Sequence, residues 1–129
     1  RVYKMLTVKP IQDKQVQKDI CNLCGVEYNE AHFCYGGYDD GVLTACCQFY
    51  LNGEHGMIDE IAYVPGKENR DMIILLGMSA VSFIDICGVK RVIYTGENDE
   101  LIKMLGFTKN ENGVYTYNVV PHKCCGENH

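Results

Sequence analysis

Met57-Ile-Asp-Glu-Ile-Ala-Tyr-Val64, with Pro65-Gly66 directly behind it, is an apolar run broken only by two adjacent carboxylates. Strand formers dominate it and Pro-Gly punctuates its end, so it reads as a largely buried strand. The stretch that follows, from 69 or 70 to 87, is apolar almost all round. It predicts a long helix lying against a sheet in the centre of the molecule. Gly88 stops that helix, and the β-branched residues 90–94 form a short second strand. Strand, buried helix, strand in that order predicts one right-handed parallel crossover.

Outward from this unit, both flanks read as hairpins. On the N-terminal side, Asn52-Gly53 marks a turn before the Met57 strand, residues 42–51 form a strand, and Asp39-Asp40-Gly41 turns into a strand over 31–38. Further out, Val16, Ile20, Leu23 and Cys24 fall at helical spacing. They predict a helix over 10–24, with Pro10 in its first turn and Gly25 as its cap. Residues 2–8 read as a first strand. On the C-terminal side, Asn98 caps a brief helix whose apolar face is Leu101, Ile102 and Leu105, and Gly106 ends it. A last hairpin pairs 107–109 with 114–119 around Asn112-Gly113. The order implies an α/β (α+β) fold, a mixed sheet flanked by helices. Residues 1–120 read as one domain and 121–129 as a polar tail.

The 129 residues are 47% hydrophobic and 22% charged, the balance of a globular domain with a proper core. Twelve basic against seventeen acidic residues give a net charge of −5, which argues against a nucleic-acid or anionic-membrane binder. The longest apolar stretch, 72–84, is too short to span a bilayer. Eight cysteines stand at 21, 24, 34, 46, 47, 87, 124 and 125. Several fall inside regular apolar patterns, where a thiol acts as a small hydrophobe, so a reducing cytoplasmic setting is expected. Cys21-Asn-Leu-Cys24 has the spacing of half a zinc site. Its second half would have to come from His122, Cys124, Cys125 or His129, and the adjacent cysteines are poorly spaced for that, so no metal is expected.

Three segments together resemble the GNAT superfamily of acetyl-CoA-dependent N-acetyltransferases. The Met57 strand ending at Pro65 is similar to the family's fourth strand. Residues 66–87 followed by Gly88-Val-Lys-Arg-Val-Ile-Tyr94 are similar to its acyl-carrier loop, helix and fifth strand. Leu101-Ile-Lys-Met-Leu-Gly-Phe107 is similar to its Phe-Tyr-Glu-Lys-Leu-Gly-Phe segment. The resemblance implies a GNAT-like mixed sheet of about seven strands and acetyl-CoA as cosubstrate. It implies a small-molecule or peptide amine as acceptor. Two departures stand out. The family's loop carries glycines where this chain has Arg70 and Met72, within Lys67-Glu-Asn-Arg-Asp-Met72, and its helix tyrosine is replaced by Ile102. They keep open an alternative, a catalytically inactive GNAT-fold binding or regulatory module.

Acetyl transfer needs a polarised carbonyl, a proton acceptor for the amine and a means of holding the two reactants together. The resemblance assigns the base to Glu60, because family members often place a carboxylate on this strand. Strand alternation allows at most one of Asp59 and Glu60 to face the acceptor. The resemblance places the cosubstrate on Ala62, Tyr63 and Val64, whose backbone donors would hold the oxyanion. It also places it on Lys67, Asn69, Arg70, Asp71 and Met72 at the loop and helix start, and on Thr95. Tyr94 reads as a sheet tyrosine. His55, in a turn, and His32, at a strand start, are minor acceptor-site candidates. Tyr28, Tyr35, Tyr38 and Tyr50 would either line an acceptor groove or pack on the sheet. The open sheet edge at the final hairpin offers a surface for a homodimer.

Overall fold

The computed structural model describes residues 5–119. Seven strands form one sheet, joined by three helices: β1 (Leu6–Ile11), α1 (Lys14–Cys24), β2 (Phe33–Asp39), β3 (Val42–Asn52), β4 (His55–Tyr63), α2 (Arg70–Ile86), β5 (Arg91–Tyr94), α3 (Asp99–Met104), β6 (Thr108–Lys109) and β7 (Tyr115–Asn118). Their spatial order is β1-β2-β3-β4-β5-β7-β6. Only β4 and β5 run parallel, across the α2 crossover, and every other neighbouring pair is antiparallel.

Alternation along β3 divides the core in two. Ala45, Cys47 and Phe49 face the α2 side, with Ile58, Ile61, Met72, Ile73, Leu76, Ala80 and Ile84. Cys46 faces the other way and packs with Ile20, Cys21, Cys24, Val26 and Cys34 beneath α1. The thiols in these layers are free and buried, as hydrophobic filler should be, while Cys87 at the end of α2 is exposed. Burial of Leu76, Ile73 and Met72 is complete, but Leu75 and Ile86 face outward. Thus α2 is an outer layer with one wet face, where its composition suggested a central helix. Among the described residues no helix is long and apolar enough to cross a membrane.

Pro10 is not in a helix. It lies in β1 opposite Tyr35, and α1 begins only after Asp13, whose carboxylate accepts the N–H groups of Gln15 and Val16. A proline is tolerated on an edge strand, and an aspartate cap is the stronger helix start. Gly25 closes α1 with φ 75°, as its position suggested.

Candidate functional site

Parallel pairing of β4 with β5 lasts only from His55 opposite Arg91 to Ile58 opposite Tyr94. Thr95 makes the last rung, its N–H and hydroxyl both donating to the Ile58 carbonyl at 2.9 and 3.3 Å. Beyond that point β4 continues to Tyr63 beside β3, and the chain after β5 departs into α3. The two strands fork.

At the root of the fork β4 carries a bulge. Phe49 pairs with Ile58 and its neighbour Gln48 pairs with Glu60, which leaves Asp59 as the extra residue. Ile58 and Ile61, three positions apart, consequently both enter the α2-side core. Regular alternation allowed one carboxylate on the acceptor side. The bulge puts both Asp59 and Glu60 on the wall of one cavity of about 520 Å³, shared with residues 25–29, His32, Gln48 and residues 95–97.

Gln48 fixes the cavity rim. It is buried, its Nε2 donates to the Glu27 carbonyl at 2.9 Å, and its Oε1 accepts the Asn29 N–H at 2.9 Å. The loop after α1 is thereby tied to β3. His32 and Asp59 meet across the cavity wall, with Nδ1 to Oδ2 at 2.5 Å. The imidazole also stacks on Tyr50, centroids 3.9 Å apart and planes 14° from parallel. Loss of water pushes the Asp59 carboxyl above its ordinary value, against the opposing pull of the His32 and Gln48 hydrogen bonds.

Glu60 spans the root of the fork. Its Oε1 accepts the Tyr94 hydroxyl and the Ile61 N–H (3.2 Å), and its Oε2 accepts the Glu97 N–H (2.9 Å). The Tyr94 oxygen in turn accepts the Asn98 N–H at 2.7 Å. Burial first, and donation to Glu60 second, raise the Tyr94 hydroxyl well above its usual value, so it stays protonated as a donor. Gly96 is required beside it: a Cβ there would stand 2.5 Å from Glu60 Oε1 and 2.6 Å from the Asp59 carbonyl.

Backbone parity sorts the expected oxyanion donors. Val64 donates to the Thr44 carbonyl at 2.8 Å, so Val64 and, two residues back, Ala62 address β3. Tyr63 and Ile61 address the fork. Of the donors expected across 62–64, Val64 is engaged by β3, and Tyr63 is the one that faces the fork. At the start of α2 the donors of Asp71 and Met72 are also engaged, by the Asn69 carboxamide at 2.9 and 3.3 Å, and the Lys67 N–H by the Val64 carbonyl. Met72, expected at the cosubstrate site, buries its side chain completely, with sulfur beneath Gly37. Lys67 and Arg70 are exposed at the loop.

The tyrosines divide by face. Tyr28 lines the cavity and Tyr50 backs His32, whereas Tyr35 packs on Phe49 and Phe83 and Tyr38 lies under the Lys9 ammonium. His55 belongs to the β3–β4 ladder opposite Asn52. Ile102 is fully buried in the core. No group of described residues is arranged to hold a metal ion, and His122, Cys124, Cys125 and His129 lie outside the described residues. The pairing of two cavity groups, His32 and Asp59, carried little signal in the sequence, because they lie 27 positions apart and meet through the bulge.

No family model matches the sequence, and no curated protein matches it. Solved structures do. The ribosomal-protein-S18-alanine N-acetyltransferase of Escherichia coli matches with a TM-score of 0.66 at 13% identity, over 97% of this chain and 99% of that one. A GNAT family acetyltransferase from Elizabethkingia anophelis with acetyl-CoA bound matches at 0.63 and 14%, over 88% and 98%. Another from Brucella melitensis, in complex with acetyl-CoA, matches at 0.66 and 10%, over 95% and 93%. At these identities the likeness establishes the fold, which is that of the GNAT acetyltransferases.

Proposed function

We propose that this chain, built on the GNAT fold, is an N-acetyltransferase that moves an acetyl group from acetyl-CoA to an amine by direct attack. The observation that carries the reading is the fork of β4 and β5, opening beside a cavity walled by Asp59, Glu60 and His32. In this reading the thioester lies in the fork, its carbonyl oxygen against the Tyr63 N–H, with Ala62, Val64 and Thr95 shaping the slot. A preorganised donor at the site of developing charge is the largest single contribution such a site makes. Lys67 and Arg70 meet the phosphates, and the N-terminal end of α2, from Asn69 to Met72, adds its dipole.

The amine occupies the cavity. Glu27, Asp59, Glu60 and Glu97 line it and, among the described residues, no lysine or arginine does, which suits an ammonium group on a small molecule or a peptide. Glu60 enters as the carboxylate at the meeting point of acceptor and thioester. Several relatives in fold carry coenzyme A or acetyl-CoA, which supports the choice of cosubstrate.

Thermal shift with acetyl-CoA and with CoA tests the reading, since a ligand that binds only the folded chain raises Tm. A rise, followed by loss of thioester absorbance with an amine panel, is expected. Glu60→Gln should cut turnover strongly while acetyl-CoA still binds. No shift at millimolar acetyl-CoA sinks the proposal. Binding without turnover on any amine favours the non-catalytic module.

A further inference from the structure

We infer that His32, held by Asp59, is the group that takes the proton from the attacking amine, an assignment that rests on the acetyltransferase reading and goes beyond it. The geometry is that of a base with its orienter. Asp59 Oδ2 sits 2.5 Å from Nδ1, which makes Nδ1 the donor when the carboxylate accepts and leaves Nε2 as the ring nitrogen to take a proton. The Tyr50 ring lies flat against the imidazole and fixes its plane. Lys14 Nζ donates to the His32 carbonyl at 2.9 Å, and the His32 N–H donates to Asn29 at 3.1 Å, which fixes its backbone. The side chains of His32 and Asp59 are 15% and 20% exposed, sheltered but open to the cavity they line.

Glu60 is less suited to the same task. Three donors already address its two oxygens, leaving about one of roughly four lone-pair sites. A base must change its protonation state in each turnover, and neutralising Glu60 would weaken the charge-assisted bonds from Tyr94 and Glu97 that hold the root of the fork. Glu60 supplies charge and position, and His32 moves the proton.

The step balances without a further reactant. The ammonium first releases one proton to solvent through the open cavity; the nitrogen then forms the C–N bond with the freed lone pair, and the carbonyl pair moves to oxygen. The proton on the new C–N nitrogen passes to His32 Nε2. The carbonyl re-forms, the C–S bond breaks, and sulfur leaves with the pair as thiolate. The imidazolium returns the proton to that thiolate, giving amide and free CoA thiol. A base that becomes the acid also removes the need for a tyrosine at position 102.

Ionisable groups around the ring are Asp59 and Glu60 of β4, Tyr50 of β3, Lys14 of α1 at the His32 carbonyl, and Glu27, Tyr28 and Glu97 around the cavity. The test compares the intact chain with His32→Ala, His32→Gln and Asp59→Asn, using acetyl-CoA with spermidine and with a lysine-containing peptide. Loss of His32 is expected to lower kcat by about 100-fold or more and to abolish the acid limb of the pH–rate profile, with acetyl-CoA affinity unchanged. His32→Gln keeping both kcat and profile overturns the inference alone. Failure of the intact chain to bind acetyl-CoA overturns the acetyltransferase reading and this inference with it. If acetyl-CoA binds but neither amine turns over, ¹⁵N NMR decides. A neutral His32 with Nδ1 protonated, changed in Asp59→Asn, supports the assignment, and a neutral ring with Nε2 protonated overturns it.

Discussion

Asp59 is placed where a carboxylate is costly. A bulge turns it out of the α2-side core into a half-dry cavity wall, where it keeps two polar partners, His32 and Gln48. Its carboxyl is raised above the ordinary 3.8, mainly by desolvation. The sign of the consequence follows from linkage. A raised native value means that the folded chain holds the proton more tightly than the unfolded one. The stabilising contribution is complete below the unfolded value and is lost as pH rises through the native value. Asp59→Asn, which stays neutral, is therefore expected to gain Tm on the parent chain as pH rises from below the ordinary 3.8 through the raised native value. A Tm difference that stays flat, or runs the other way, refutes this account of Asp59. Such a cost at a cavity wall makes Asp59 a candidate functional group.

Elements set which donors a ligand meets. The first turn of a helix favours anions, yet at α2 the Asn69 carboxamide already caps Asp71 and Met72. Phosphates arriving there must compete with that side chain for the same N–H groups. Asn69→Ala is accordingly expected to cost about 1 kcal/mol of stability, the usual worth of a cap, while leaving CoA affinity equal or higher. Chemical denaturation reads the first quantity and titration calorimetry the second. A loss of CoA affinity along with stability would make Asn69 a ligand and not a competitor. Much at this scale was legible from sequence. The long apolar helix, the Gly25 and Asn98 caps and the Met57 strand all came from periodicity and punctuation that local physics enforces. What escaped were features set by tertiary partners. Pro10 joined an edge strand because β2 was there to pair with it. The β4 bulge leaves no mark in composition, since Asp59 and Glu60 read as adjacent alternating residues until β3 supplies the register. The same bulge hid the His32–Asp59 pair.

Charge acts over the whole molecule, and the chain's two expected substrates have opposite signs. The net charge of −5 and a cavity that, among the described residues, has four carboxylates and no lysine or arginine would draw an ammonium inward. The same field would oppose CoA, for whose phosphates the proposed reading enlists Lys67 and Arg70, beside the acidic Glu68 and Asp71. Salt shortens the reach of both effects, from about 30 Å at 0.01 M to about 8 Å at 0.15 M ionic strength. The kcat/KM for a polyamine such as spermidine should therefore fall as sodium chloride rises, and fall more steeply than for a monoamine of similar size. Steady-state measurements with both amines at saturating acetyl-CoA give the two slopes directly. Equal slopes would mean that the cavity carboxylates do not select for charge. Glu60 and Asp59 would then act only through their contacts at the fork and on His32, and the acceptor would be recognised by shape on the Tyr28 and loop side of the cavity.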